Sequence, residues 1–308
     1  MTREAILRSA VDTAGLGDLW DPVVRGARLG RKDLERVLAC GHPLAAAALA
    51  DLARERSSGV DVTHPWTLRV RAPGVPWDAE DGTRVSHAAD ALAGIPATES
   101  QIVGRLPADL SLGLAVEMVR SVKTARPDLT LRAFTSLAID GIANNDGCDA
   151  AHVLGELRKA GLDTLDWAPG DGRTARAAAV HRIAHENGYE TTAPLGFGKG
   201  GVDGAFLDRL EAVRKVAEAT GRFPSAVVLP DLTEGESPLR ASAGTEDTLA
   251  CALARLALGH TVHRVTVDAH VVGHKLGAVL LSCGADDFVG AQSAAAGARP
   301  TAHGPRPL

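Results

Sequence analysis

From Thr67 onward the sequence repeats one alternation: a short apolar run bounded by turn residues, then a longer stretch with apolar residues at helical spacing. The short runs are Thr67–Arg71, Ser100–Val103, Thr130–Phe134, Thr164–Trp167, Thr191–Leu195, Ala226–Leu229, Arg264–Val267 and Asp287–Val289. Between them the clearest helices are Leu112–Ala125, Ala150–Ala160, Arg173–Asn187, Ala205–Ala219, Glu246–Gly259 and Gly273–Ser282, several of which stop on glycine. Strands joined by helices run parallel, because a helical crossover returns the chain to the same edge of the sheet. Eight such strands predict an α/β fold of the (β/α)8 TIM-barrel type, with irregularity or opening allowed near the first strand. A doubly wound open sheet is the alternative.

Residues 1–58 follow another pattern. Leu34, Val37, Leu38, Leu44, Ala48, Leu49 and Leu52 fall at helical spacing with few strand formers, which predicts a helical preface ahead of a barrel over 59–290. From 291 to 308 the chain is mostly Ala, Gly, Pro and Arg without periodicity, and a disordered tail is expected. A chain of 308 residues can bury roughly three quarters of its unfolded surface, so the fold needs no disulfide or metal staple.

A net charge of −5 leaves no electrostatic footprint for nucleic acid. No apolar run approaches the roughly 20 residues of a membrane span. Met1–Ala10 carries Arg3, Glu4 and Arg8 in place of the continuous apolar core of a signal peptide. Nucleic acid and membrane are thereby disfavoured as partners, and a cytoplasmic protein is expected. Cys40, Cys148, Cys251 and Cys283 are too widely separated for a C-x2-C metal site and read as reduced thiols packed as small apolar residues.

Barrel active sites gather at the C-terminal ends of the strands. The richest such stretch here is Asp268-Ala269-His270-Val271-Val272-Gly273-His274. On an extended segment Asp268 and His270 point the same way, with His274 one helical turn on. A carboxylate and two imidazoles suit a divalent metal or an acid/base pair, and the plainer reading is solvated or helix-capping side chains. Lys199 follows the fifth strand and, if burial lowered its pKa, would suit proton transfer or Schiff-base chemistry; otherwise it is a solvated loop charge. Thr135, Asp140, Asp166, Asp171 and Asp231 stand near other strand ends and are candidate ligand-binding positions. Gly196–Gly201 lacks the spacing and the Ser or Thr of a phosphate loop and reads as a reshaped turn. His181 and His185 share one helix face but lack a third ligand, so they read as packing or surface residues. No G-x-S-x-G elbow supports hydrolase chemistry.

Several blocks, in order, carry a family likeness. They are Ala133-Phe134-Thr135 with Ile139-Asp140, Leu154 through Asp163, Val180 through Gly188, and Lys275-Leu276-Gly277 through Gly284-Ala285-Asp286-Asp287, with Asp33–Leu38 and Ala50–Arg56 in the preface. Together they resemble the radical-SAM family of menaquinone biosynthesis. The aminofutalosine synthases are nearest, and the dehypoxanthine futalosine cyclases and deazaflavin (FO) synthases share the pattern less closely. The resemblance implies a radical-SAM type barrel whose relatives make or cyclise futalosine intermediates.

The departures bear on chemistry. The family carries C-x3-C-x2-C after the first strand, where three thiolates hold three irons of a 4Fe-4S cluster and the fourth iron stays open for SAM. Here Thr63 to Val85 contains no cysteine. The family's P-G-G-G-A-E turn after the fourth strand corresponds to Asp166-Trp167-Ala168-Pro169-Gly170-Asp171, with bulky and rigid residues in place of glycines. Ala138 stands where the family has the Glu of A-F-T-x-x-E, and Phe197-Gly198-Lys199 where it has Y-G-H. Set against the family, these changes imply no 4Fe-4S cluster, no reductive SAM cleavage and no other cofactor, a divalent metal at Asp268, His270 and His274 being the one exception. The expected function is a cluster-less paralogue of aminofutalosine synthase acting as a non-catalytic partner of a homologous radical-SAM protein. The alternative is a repurposed non-radical enzyme or binding protein for a futalosine-like nucleoside, with Asp268, His270 and Lys199 around its pocket.

Overall fold

The computed structural model describes residues 2–58, 67–71, 99–103, 106, 108–167, 175–198, 201–230 and 244–289. Four helices come first: α1 (Arg3–Thr13), α2 (Gly17–Val24), α3 (Arg31–Ala39) and α4 (Pro43–Ser58). Strands and helices then alternate as β1 (Thr67–Arg71), β2 (Glu99–Val103), α5 (Leu112–Ala125), β3 (Thr130–Ala133), α6 (Ser136–Asn145), α7 (Ala150–Ala160), β4 (Thr164–Leu165) and α8 (Ala175–Glu186). The second half continues as β5 (Ala193–Phe197), α9 (Gly204–Thr220), β6 (Ser225–Pro230), α10 (Thr245–Leu258), β7 (Arg264–Asp268), α11 (Ala269–Val272), α12 (His274–Leu280) and β8 (Asp287–Val289).

Local chemistry sets the boundaries. Ser111, Thr135, Asp149 and Asp203 each cap a helix by accepting a backbone N–H with the side-chain oxygen. Gly161 and Gly221 end α7 and α9 in the left-handed conformation, at φ 111° and 63°. On α5 the buried residues Ala115, Met118, Val119 and Val122 form a single stripe at helical spacing.

Every ladder is parallel, as the alternation predicts, but the ladders form two sheets of four, β1-β2-β3-β4 and β5-β6-β7-β8. Among the described residues no ladder joins β4 to β5 or β8 to β1, so a continuous closed barrel is not what the hydrogen bonds show. The break falls beside β4 and not only at the first strand. β4 is two residues long, because the chain turns as the Asp166 N–H bonds back to the carbonyls of Ala133 and Phe134.

Each sheet has its own apolar cluster. Leu131 and Ala133 of β3 pack with α5, α6 and α7, and β5 to β8 pack with α9, α10 and the N-terminal helices. Helix α10 is buried throughout from Ala250 to Leu258. It lies against α4, whose Ala45 to Ala50 are buried as well. Small residues on both helices bring the backbones close, and a Cβ at Gly284 would come 2.9 Å from both Ala50 and Arg255. Among the described residues no helix is long and apolar enough to cross a membrane.

Candidate functional site at the strand ends

Along β3, Leu131 and Ala133 face the helices, so period-two alternation turns Arg132 to the opposite face of the sheet. Its guanidinium lies 3.8 Å from the centre of the Trp167 ring, and its Nε stands 3.3 Å from Asp166 Oδ1. The Trp167 indole N–H donates to Asp268 Oδ2 at 3.2 Å, and Asp268 ends β7. Arg132, Asp166, Trp167 and Asp268 are all at most 8% exposed. A residue that follows the first sheet is thereby tied to the last residue of a strand in the second.

The arrangement suits its charges. One buried carboxylate, Asp166, stands beside the guanidinium, the indole face supplies a cation–π contact, and a second buried carboxylate, Asp268, accepts from the indole N–H. Next to Arg132 in sequence, Phe134 holds φ at 56°, a left-handed conformation that costs a non-glycine residue about 1–2 kcal/mol. The strain places Thr135 to cap α6, where its hydroxyl accepts from the Ala138 N–H at 3.2 Å.

Of the residues expected from sequence, Asp166 and Asp268 come together here, joined through Arg132 and Trp167. Thr135 lies next to this group in the chain, but its hydroxyl is spent on the helix cap. Asp140 faces away along α6 and pairs with exposed Arg176, Arg176 Nη2 donating at 2.8 Å. Lys199, Asp171 and Asp231 lie outside the described residues.

Of the expected metal set Asp268, His270 and His274, the His270 side chain lies outside the described residues. α11 begins immediately after Asp268, so positions 268 and 270 are not two steps along a strand. Asp268 is buried against Trp167, whereas His274 is exposed with its ring 6.0 Å from Phe288. Among the described residues no group of three His, Cys, Asp or Glu side chains is placed to hold a metal ion.

Sequence reasoning missed Arg132. Its signal was present as a charged residue inside an otherwise strand-like run, Thr130-Leu131-Arg132-Ala133, at an alternation position that cannot face the helices. His181 and His185 do pack inside, as one alternative had it. Both bond to the Thr191 hydroxyl at 2.9 Å, and His185 Nδ1 also reaches Thr220 Oγ1 at 2.8 Å. Burial pushes His181 down to about 3 and His185 to about 4.

No model of a known protein family matches the chain. A 5-amino-6-(D-ribitylamino)uracil--L-tyrosine 4-hydroxyphenyl transferase 1 of Methanosarcina barkeri is 27% identical over 216 residues, covering 63% of this chain and 57% of the relative. The corresponding transferase of Methanopyrus kandleri is 27% identical over 235 residues, 68% of this chain and 62% of its own. The aminodeoxyfutalosine synthase of Streptomyces coelicolor is 28% identical over 228 residues, 66% of this chain and 59% of its own. The chain thus spans about three fifths of the length of the curated relatives it matches.

Among solved structures, a methylornithine synthase superposes with a TM-score of 0.57 at 14% identity, covering 88% of this chain and 85% of that one. The FeFe-hydrogenase maturase HydG of Carboxydothermus hydrogenoformans gives 0.60 at 12% identity, covering 94% and 76%.

These relatives correct the expectation that the chain takes no cofactor. They are radical-SAM enzymes, which normally bind a 4Fe-4S cluster and SAM, so a missing motif in one loop does not make a cofactor-free protein the default reading. Cys40 donates to the Val37 carbonyl at 3.1 Å at the end of α3, and Cys148 precedes α7. Cys251 and Cys283 are buried beside α12, where desolvation raises both thiols above their ordinary pKa. In sequence the chain is similar to radical-SAM family members at 28% identity or less, and in fold it matches their TIM-barrel-like architecture.

Proposed function

We propose that the chain is a non-catalytic partner protein of the futalosine route to menaquinone, a relative of aminodeoxyfutalosine synthase that works by binding a homologous radical-SAM enzyme. The observation that carries the reading is the filled strand-end centre. Trp167 occupies the place where the resembled family has a glycine-rich turn. It is fastened on one side by Arg132 and on the other by Asp268. A backbone that approaches a ligand closely needs small residues, and a buried indole under a guanidinium leaves that approach closed.

The test is anaerobic isolation of the full chain from its own host, with native mass spectrometry of what accompanies it and an assay for 5′-deoxyadenosine released from SAM. Co-isolation of a homologous radical-SAM protein, with no 5′-deoxyadenosine from the chain alone, is expected. Release of 5′-deoxyadenosine by the isolated chain overturns the reading.

A second reading rests on the strained Phe134, whose carbonyl accepts from the N–H of buried Asp166, since backbone strain gathers at working sites. In it the same centre binds a futalosine-like nucleoside, with Asp268 as a polar contact. Asp268→Asn would then lower nucleoside affinity by roughly tenfold without unfolding the chain. Equal affinity in the variant removes this reading.

A further inference from the structure

Away from the strand-end centre, a cavity of about 440 Å³ opens between the α2–α3 connection, the last turns of α4 and the end of α10. Its floor is apolar: Val23, Leu29 and Leu256 are each at most 5% exposed. Its polar lining is basic or potentially basic, with Arg25, Arg56, His260 and His263 at the exposed rim and the Arg255 guanidinium behind. Among the described residues no carboxylate lines it.

The neighbouring cavity, of about 370 Å³, gives the contrast. It too is lined by arginines, but each is already neutralised: Arg28 by Glu218 at 3.1 Å, Arg31 by Asp208 at 2.7 Å, and Arg214 by Glu211. Arg255 is likewise spent, on Asp286 at 2.7 Å. Among the described residues no ion pair involves Arg25, Arg56 or His260. Arg56 is positioned as well as uncompensated. Its Nη1 donates to the Val24 carbonyl, and its Nε lies where a Cβ on residue 26 would come within 2.7 Å. Gly26, at φ 75°, is thus both the turn residue and the opening that admits the guanidinium.

From this geometry we propose that the cavity binds a small phosphate monoester, the phosphate held by Arg25 and Arg56 with the imidazoles at the rim and the organic body on the apolar floor. Guanidinium forks match phosphate oxygens bidentately, and the volume falls within the roughly 300–1,000 Å³ of small-molecule sites. His263 stands just before β7 and Asp268 ends it, so the five-residue strand, roughly 15 Å long, separates this site from the strand-end cluster. The site is independent of the proposed partner role.

Isothermal titration of the full chain at low salt with ribose 5-phosphate, inorganic phosphate and ribose tests the assignment. Saturable binding of ribose 5-phosphate is expected, with inorganic phosphate weaker and ribose silent. R25Q and R56Q should each weaken binding roughly tenfold or more, and R31Q, in the neutralised cavity, should not change it. Should R56Q lower the melting temperature through loss of its bond to the Val24 carbonyl, the exposed R25Q decides alone. No saturable binding of ribose 5-phosphate at millimolar concentration, or affinity unchanged in R25Q, overturns the proposal. Inorganic phosphate binding as tightly as the ester overturns the assignment of an organic ligand.

Discussion

Among the described residues three arginines are buried against carboxylates, and beside the Arg54–Asp51 pair two of them, Arg255 and Arg132, are held in different ways. Arg255 of α10 meets Asp286 at 2.7 Å with both side chains wholly inaccessible, and it donates to the carbonyls of Gly284 at 2.7 Å and His263 at 2.9 Å. Asp286 in turn accepts from the Val265 N–H at 2.8 Å. Helix, turn and two strands of the second sheet are thus joined through one ion pair whose fork is directed at fixed acceptors. Arg132 meets Asp166 at a looser 3.3 Å and lays its face on Trp167. The first arrangement is a staple within one sheet. The second spans two sheets that no ladder joins, and leans on an aromatic face where the other uses backbone carbonyls.

The sharpest way to break this comparison is to remove the staple's carboxylate. Asp286→Ala strands the Arg255 charge in a site without water, and a loss of about 3–5 kcal/mol in urea denaturation is expected. A loss below about 1 kcal/mol would mean that the pair does not carry the second sheet, and the distinction between the arginines would collapse.

Acid gives the next largest effect, through buried bases that avoid charge altogether. His181 and His185 are held neutral, at about 3 and about 4, while an unfolded chain titrates them near 6.5. The unfolded state therefore binds more protons between those values. Their contribution is complete above about pH 6.5 and is lost as the pH falls toward 3. By pH 4 the penalty is ~3 kcal/mol for each imidazole, and His181→Gln should flatten the acid limb of the stability profile. An acid limb unchanged in that variant would place the titrating groups elsewhere.

At the strand-end centre a smaller change is expected. Trp167→Phe keeps a ring under Arg132 but removes the indole N–H that Asp268 accepts, which should cost about 1–2 kcal/mol. If the loss matched that of Asp286→Ala, the strand-end cluster would be a second staple. The sequence shows why this centre was only half legible. Periodicity located β1, β8 and α7 at their observed bounds, with a glycine stop at Gly161, because those signals are local. Asp166 and Asp268 were legible as carboxylates at strand ends. The link between Trp167 and Asp268 joins residues 101 positions apart, and no local pattern encodes it. Asp268 and His270 would share a face only on an extended segment, and after β7 the chain turns at once into α11, a change of backbone that no local pattern marked.

The smallest effect belongs to Asp140, a candidate ligand contact by its position near a strand end. Its partner Arg176 is 64% exposed, so their ion pair sits in water-like dielectric and its attraction is largely offset by solvation and side-chain entropy. Arg176→Ala should leave the urea midpoint almost unchanged, and any change should shrink further in high salt. Asp286→Ala in the same buffers should keep nearly its full effect, because salt does not screen a pair that solvent cannot reach. The ratio of the two salt dependences therefore measures burial directly. It also tests the centre, since a salt response of Arg132→Met close to that of Arg176→Ala would show that solvent enters between the two sheets.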